Sequence, residues 1–393
     1  MLKQIYTSSR RLINNLRYKK ISDNFASAQH QIKPNVIHLS AAIDWLCRAQ
    51  DATPDDGVAA LYNLVTKRWR PSYPETTGYI ISTFLKYAAF SDEISYQKRA
   101  IKMGDWEINI QLPTGACRGG QVPFATPRIF NTGQIILGWL DLYRLSAEKK
   151  YLHSAIRAAD WLISQQDSDG KWQQYTMNGA KTYHARVAWP LLKLAKITNE
   201  RRYQLAAEKN LTWVLKQQKP NGWFSQTSLA EPGKPWTHLI GYTLEGLIES
   251  YLLTKEQKLL TSVIKASNGL LREFEARLHK PHKVINDFLP GSFDKNWESR
   301  DAYSCLTGNA QIACVWFTLS RLTRQTKFLI AAKRLNSHVK YCQILNNPDP
   351  CIAGGVAGSF PIHGHYCSFS MINWAAKFFA DALMLEEKID DIV

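Results

Sequence analysis

Five short stretches of the chain hold side chains that can exchange protons or grip a polar ligand. They are Glu75 beside Thr76, Thr77 and Gly78; Tyr183-His184-Ala185-Arg186; His238 with Tyr242; Asn309 with Gln311; and His363-Gly364-His365-Tyr366. His238 and Tyr242 are four apart, so on a helix they share a face. Imidazole and phenol can remove a proton, and an Arg or Asn can neutralise a carboxylate so that the adjacent C–H becomes acidic. That is the inventory of a sugar lyase or epimerase. Its catalytic candidates are His184, His238 and Tyr242, with Tyr183, Arg186, Asn309, His365 and Tyr366 holding the substrate. Hydrolysis of a glycosidic bond instead needs two carboxylates about 5–10 Å apart. Glu75 is one, and Asp301, Glu298 or Asp294 from the loop Phe293–Ala302 is its partner. Plainer roles compete. A carboxylate at a helix start also stabilises that helix, a buried His or Tyr is often a satisfied core residue, and loop charges are often solvated.

Other chemistries lack their residues. A protonating terpenoid cyclase needs an Asp-x-Asp-Asp acid, and the nearest run, Asp51-Ala-Thr-Pro-Asp-Asp56, has the wrong spacing. Cys305, His363 and His365 can be drawn as a zinc site, but there is no CxxC pair and His363-Gly-His365 alone is a weak pattern. No glycine-rich phosphate loop occurs. The expectation is no metal and no cofactor.

A repeat supplies the elements that must position these residues. Trp45 and Gln50, Trp106 and Gln111, Trp161 and Gln166, and Trp213 and Gln218 share one spacing, which His338 and Gln343 keep. The stretch from Leu270 to His279 has lost it. Gly57, Gly115, Gly170, Gly222 and Gly354 follow the glutamines. This reads as a helix end: the Trp packs inward one turn before the stop, the Gln bonds backbone groups, and the Gly lets the chain turn. Second helices are expected to start near Glu75, Phe130, Tyr183, Thr237, Ser304 and Tyr366. Their bodies, such as Ile135–Leu140 and Ala375–Leu383, are apolar on several faces and therefore buried on more than one side. The first helices are more amphipathic, as in Tyr151–Leu162. Links such as Ser146–Lys149 are short, whereas those in the other direction run to about 15–25 residues, a length usually tied to function.

Six such hairpins describe an all-α, closed (α/α)6 toroid over residues 33–393, inner and outer helices alternating. All long loops and all inner-helix N-termini then share one face. The site is expected there, where loops sit on a rigid scaffold and helix dipoles favour an anion.

The toroid and its Gln-x3-Gly-x-Trp element resemble the terpenoid-cyclase toroids and the six-hairpin group of glycosidases, lyases and sugar epimerases. Four stretches carry a closer likeness: Tyr73-Pro-Glu-Thr-Thr-Gly-Tyr79, Tyr183-His-Ala-Arg-Val-Ala-Trp189, Leu306-Thr-Gly-Asn-Ala-Gln311, and Gly358-Ser-Phe-Pro-Ile362 followed by Asn373–Leu383. In these the chain resembles a family of bacterial proteins found with exopolysaccharide biosynthesis genes, the VpsJ type. The resemblance implies a polysaccharide context, with a glycan, free or lipid-linked, as partner. It implies no mechanism.

Composition narrows the partners. The chain has 393 residues, 45% hydrophobic and 21% charged, with 13 Trp and 17 Tyr, which excludes disorder. No apolar run approaches the roughly 20 residues of a membrane span. The net charge of +16 favours an anionic partner such as an acidic sugar or anionic lipid. No zinc finger, RNP signature or helix-turn-helix supports nucleic acid as partner. Seven scattered cysteines and the lack of an apolar signal region point to the cytoplasm. Residues 1–32 read as a basic arm. Lys3, Arg10, Arg11, Arg17, Lys19 and Lys20 accompany Ile5, Leu12, Ile13, Leu16 and Ile21 at roughly helical spacing. Such a helix can lie on an anionic membrane, or pack on the outside of the fold. The expected function is carbohydrate chemistry of lyase or epimerase type on an anionic sugar, with glycoside hydrolysis or non-catalytic glycan binding as alternatives.

Overall fold

The computed structural model describes residues 16–28, 30–229, 231–278 and 287–390. A helix over 16–26, α1, precedes twelve others that alternate between two rings. The outer helices are α2 (Asn35–Asp51), α4 (Ile94–Asn109), α6 (Lys149–Ser164), α8 (Arg201–Lys216), α10 (Gln257–Leu278) and α12 (Thr326–Cys342). The inner helices are α3 (Pro74–Ser91), α5 (Ile129–Ser146), α7 (Ala185–Thr198), α9 (Thr237–Thr254), α11 (Leu306–Thr323) and α13 (Asn373–Asp390). Each inner helix packs on the next, and α13 returns to α3 and closes the ring. The fold is the (α/α)6 toroid that the repeat predicts.

Inner helices lead to outer ones through two-residue links. The first link residue is left-handed each time: Asp92, Ala147, Asn199, Lys255 and Arg324, with φ between 56° and 62°. In four of the five its N–H bonds the carbonyl four residues back, as from Ala147 to Tyr143 and Lys255 to Tyr251. That cap reverses the chain at once and sets the two helices antiparallel.

The repeated glutamines are straps between neighbouring units. Gln111 Nε2 donates to Gly115 O at 2.8 Å and to Ser154 O in α6 at 3.0 Å. Gln166 donates to Gly170 O and to Ala206 O in α8, both at 2.9 Å. Gln218 does the same to Gly222 O and to Ser262 O in α10. Gln343 reaches Gly354 O and His38 O in α2, so the sixth unit ties to the first. The paired glycines run so close to the next outer helix that no side chain fits. Gly170 has φ +91°, and a Cβ there would lie 2.4 Å from Lys209 O.

Sheet is confined to the loops. Strands β1 (Leu61–Asn63), β2 (Arg68–Trp69) and β5 (Ser370–Ile372) pair in the order β2-β1-β5, and β3 (Ser304–Cys305) pairs with β4 (Ser359–Phe360), all antiparallel. This corrects one expected boundary. The last inner helix starts at Asn373 and not near Tyr366, because residues 370–372 are drawn into the sheet with β1.

The described part of the arm packs on the outside of the fold. Ile21 and Phe25 meet the body, and the Tyr18 ring lies 4.9 Å from that of Phe369. Ile21, expected in a membrane-facing stripe, therefore faces inward, while Arg17, Lys19 and Lys20 are exposed. Lys3, Ile5, Arg10, Arg11, Leu12 and Ile13 lie outside the described residues, as does His279. No described helix is long and apolar enough to cross a membrane.

Candidate active site

Helix N-caps usually carry Ser, Thr, Asp or Asn, whose side chain bonds a first-turn amide. Four of the inner helices break that rule, whereas at α11 the Cys305 thiol accepts from the Gly308 amide. Tyr73 caps α3, Arg128 caps α5, His184 caps α7 and Trp236 caps α9, none with a side-chain cap bond. All four side chains line one cavity of about 290 Å³. The outer helices α2, α4, α6, α8 and α12 lack side-chain cap bonds as well; what sets these four caps apart is that they converge on one cavity. Threonines one turn later replace the lost bonds to the loops. Thr77 Oγ1 accepts from Val58 N–H, and Thr132 Oγ1 accepts from Cys117 N–H, both at 3.0 Å.

Glu75 projects into this cavity from the first turn of α3 and is only 9% exposed. Burial lifts its carboxyl to about 7, against the Tyr73 hydrogen bond and the positive charge of Arg186, which both pull it down. Tyr73 OH donates to Glu75 Oε2 at 2.7 Å and fixes the orientation of the carboxyl. His184 and His238 are 1% and 8% exposed. Burial drops both imidazoles to about 3, so they stay neutral. The Nδ1 atom of each is buried without a hydrogen-bond partner. His238 lies among aromatic rings, with centroids 6.2 Å from Trp236, 4.8 Å from Tyr366 and 5.3 Å from Tyr242. Trp374 Nε1 donates to Tyr366 OH at 2.8 Å. Tyr175 and Met177 form an exposed rim, and the Cys367 thiol, pushed up to about 12 by burial, completes the wall.

The floor shows how the walls face each other. Tyr79 OH of α3 and Tyr242 OH of α9 lie 3.4 Å apart. These are the first and fourth of six inner helices, so the contact crosses the ring axis. Glu75 precedes Tyr79 by one turn, and His238 precedes Tyr242 by one turn. Residues four apart share a helix face. Glu75 and His238 therefore stand on opposite walls, about 6 Å (one turn) above the floor.

Of the residues expected from sequence, the structure brings together Glu75, Tyr183, His184, His238, Tyr242 and Tyr366. Five others are placed elsewhere. Arg186, 1% exposed, runs below the floor. It pairs with Glu245 on α9 and donates from Nε to Gln134 Oε1 on α5 at 2.5 Å. Asn309 is spent on a loop, trading hydrogen bonds of 2.9 Å with both backbone groups of Leu289. His365 is exposed beside Tyr303. Asp301 accepts from Ser292 Oγ at 2.7 Å, and Asp294 holds its own loop through the amides of Asn296 and Glu298. Among the described residues Glu75 is the only carboxylate on the cavity, so the expected carboxylate pair is not assembled there. Sequence reasoning missed Tyr73, Arg128, Trp236 and Trp374. The signal for the first three was their place immediately before an inner helix.

Comparisons agree with this architecture. The family model for the catalytic domain of beta-L-arabinofuranosidase, GH127, matches residues 38–231. No curated protein sequence matches the chain. Among solved structures, an unsaturated glucuronyl hydrolase specific for heparin is similar with TM-score 0.69 and 15% identity, over 90% of this chain and 97% of that one. Cellobiose 2-epimerase from Bacillus thermoamylovorans is similar with TM-score 0.67 and 10% identity, over 86% and 95%. The unsaturated glucuronyl hydrolase of Bacillus sp. GL1 gives TM-score 0.67 and 14% identity, over 89% and 96%. At such identities the likeness is one of fold: this chain shares the (α/α)6 toroid of these structures.

Proposed function

We propose that this chain is a carbohydrate-active enzyme that moves a proton on a sugar held in the mouth cavity, by epimerase- or lyase-type chemistry. One observation carries the reading: a carboxyl poised near neutrality and a neutral imidazole stand on opposite walls of an aromatic cavity. Inverting a carbon centre requires removing a proton from one face and returning one to the other. A sugar between Glu75 and His238 meets a group able to exchange a proton on each face. Tyr73 holds the Glu75 carboxyl through the phenol hydrogen bond. Trp236, Trp374 and Tyr366 offer ring surfaces to the sugar. The hydrolases and the epimerase that share the fold act on glycans by their names, which supports the substrate class. Glu75, the one carboxylate on the cavity among the described residues, favours this reading over a two-carboxylate glycosidase.

Turnover in D2O of oligosaccharides with and without uronic acids tests this. Deuterium at a sugar carbon without cleavage is the expected result, lost in both Glu75→Gln and His238→Ala. A new unsaturated end selects the lyase arm, and a new reducing end without unsaturation or deuterium overturns the proposal. The wider setting, exopolysaccharide biosynthesis in the cytoplasm with the basic arm on anionic membrane, is proposed from the sequence resemblance and from the exposed Arg17, Lys19 and Lys20. Equal salt-sensitive binding to anionic vesicles with and without residues 1–20 would remove the membrane contact.

A further inference from the structure

Arg128 is the only lysine or arginine on the cavity wall among the described residues, and it forms no ion pair there. Its placement is built. The stem lies against Gly119, where a Cβ would come within 2.0 Å of Arg128 Cγ. One bond, Nη1 to Thr176 O at 3.3 Å, steadies the guanidinium. A guanidinium carries five N–H donors, so most of its capacity is unspent. Beside it begins α5, whose Phe130 and Asn131 also line the cavity. Their amides, in the first turn, have no carbonyl within the helix to bond, and the helix dipole adds positive potential. His184, 1% exposed, lines the same cavity and keeps its wall uncharged beside Arg128.

We infer that Arg128 is the anion anchor of this site and that its substrate is a sugar bearing an oxyanion, either a uronate carboxylate or a phosphate ester. The anion meets a directional, charged fork at the α5 cap, a geometry suited to carboxylate and phosphate. This deepens the proton-transfer reading, in which Glu75 and His238 act on the sugar that Arg128 holds. The binding claim has its own test. Three probes, a glucuronate-containing disaccharide, glucose 1-phosphate and cellobiose, are titrated calorimetrically into the full-length protein and into Arg128→Met, Arg128→Lys and Glu75→Gln.

An acidic probe should bind the wild type at least about 10-fold more tightly than cellobiose, as a charge-assisted contact provides. Arg128→Met should erase that gap and leave cellobiose binding unchanged. Arg128→Lys should keep part of it, and Glu75→Gln all of it. The acidic probe with the larger gap identifies carboxylate or phosphate as the group recognised. Equal affinities in the wild type, a gap that survives Arg128→Met, or no binding by any probe overturns the inference. An unchanged melting profile for Arg128→Met separates lost recognition from lost folding. If the gap vanishes in Arg128→Met while Glu75→Gln still incorporates deuterium, the anchor stands and the proton-transfer assignment falls.

Discussion

The two ends of the ring axis hold cavities of similar size, about 290 Å³ at the mouth and about 350 Å³ at the far end, with opposite chemistry. The far cavity is crowded with charge, and most of that charge is paired. Lys193 meets Asp141 at 2.6 Å, Lys377 meets Asp381 at 2.8 Å, and Arg186 meets Glu245. Ser82 and Thr83 add hydroxyl bonds to the same aspartates. At the mouth, Glu75 and Arg128 have no ion-pair partner among the described residues, and two imidazoles keep a free Nδ1. A floor of Tyr79, Tyr242 and Phe378 divides the two, with the Arg186 guanidinium 5.0–5.3 Å from their ring centres. The contrast separates two uses of polarity inside one barrel of helices. Charge matched in place holds six helices together, whereas polarity left unmatched in a cavity is available to a ligand.

Four expected outcomes would break or sharpen that contrast. Arg186→Met strands the half-buried Glu245 and the buried Gln134 Oε1, and should cost about 3–5 kcal/mol of stability by chemical denaturation. A neutral result would mean that the far-end pairs hold nothing together. Glu75→Gln should behave in the opposite sense. The native carboxyl titrates at about 7 against an ordinary value of 4.5. Its contribution to stability is therefore full below pH 4.5 and lost as pH rises through 7. At pH 8 the variant should exceed the wild type by about 3 kcal/mol and match it near pH 4, while turnover falls by at least about 100-fold. Denaturation curves at both pH values check the first part; a constant difference would show that the mouth carboxyl is not held neutral by burial.

Smaller effects are expected away from the axis. Gln166→Ala removes the two strap bonds to Gly170 O, which Asn210 Nδ2 still bonds, and to Ala206 O, and should cost about 1–3 kcal/mol, whereas Gln165→Ala, one residue earlier, should change stability by no more than about 0.5 kcal/mol. Thermal melts of the pair distinguish strap from surface. Smallest of all, His365→Ala and Asp301→Asn should leave stability within about 0.5 kcal/mol and turnover unchanged, because neither side chain lines the cavity. A large loss of turnover in either would move the site toward the 294–301 or 359–370 loops.

Half of the candidate site was legible in the chain. Glu75, His184 and His238 were readable because they open inner helices, and a closed ring of hairpins sends all such positions to one mouth. The misplacements have a common cause. Arg186 and Asn309 also sit in first turns, yet a first-turn position does not say where a side chain ends. Arg186 follows its Glu245 and Gln134 partners below the floor, and Asn309 satisfies a loop backbone 20 residues away in sequence. Tyr73, Arg128 and Trp236 are not legible from the sequence by type, because poor caps also start the outer helices and only the closed ring brings these three to the cavity.

The periodic spacing of Trp, Gln and Gly by itself determined the toroid. Those residues act within one hairpin and its neighbour, through a helix end, a left-handed turn and a pair of hydrogen bonds, and local rules reach that far. The charge balance and the long loops carry the expectation of an anionic ligand at one face. Only the tertiary structure decided which polar side chains remain unpaired. That outcome depends on partners from other helices of the ring. Asp381 is neutralised by Lys377 on its own helix and bonded by Thr83 from another, while Glu75 is left with a single phenol in a desolvated pocket. Two carboxylates on inner helices thus end below and above their ordinary range. The reason is that burial and charge pairing are properties of the assembled ring and not of any segment of the chain.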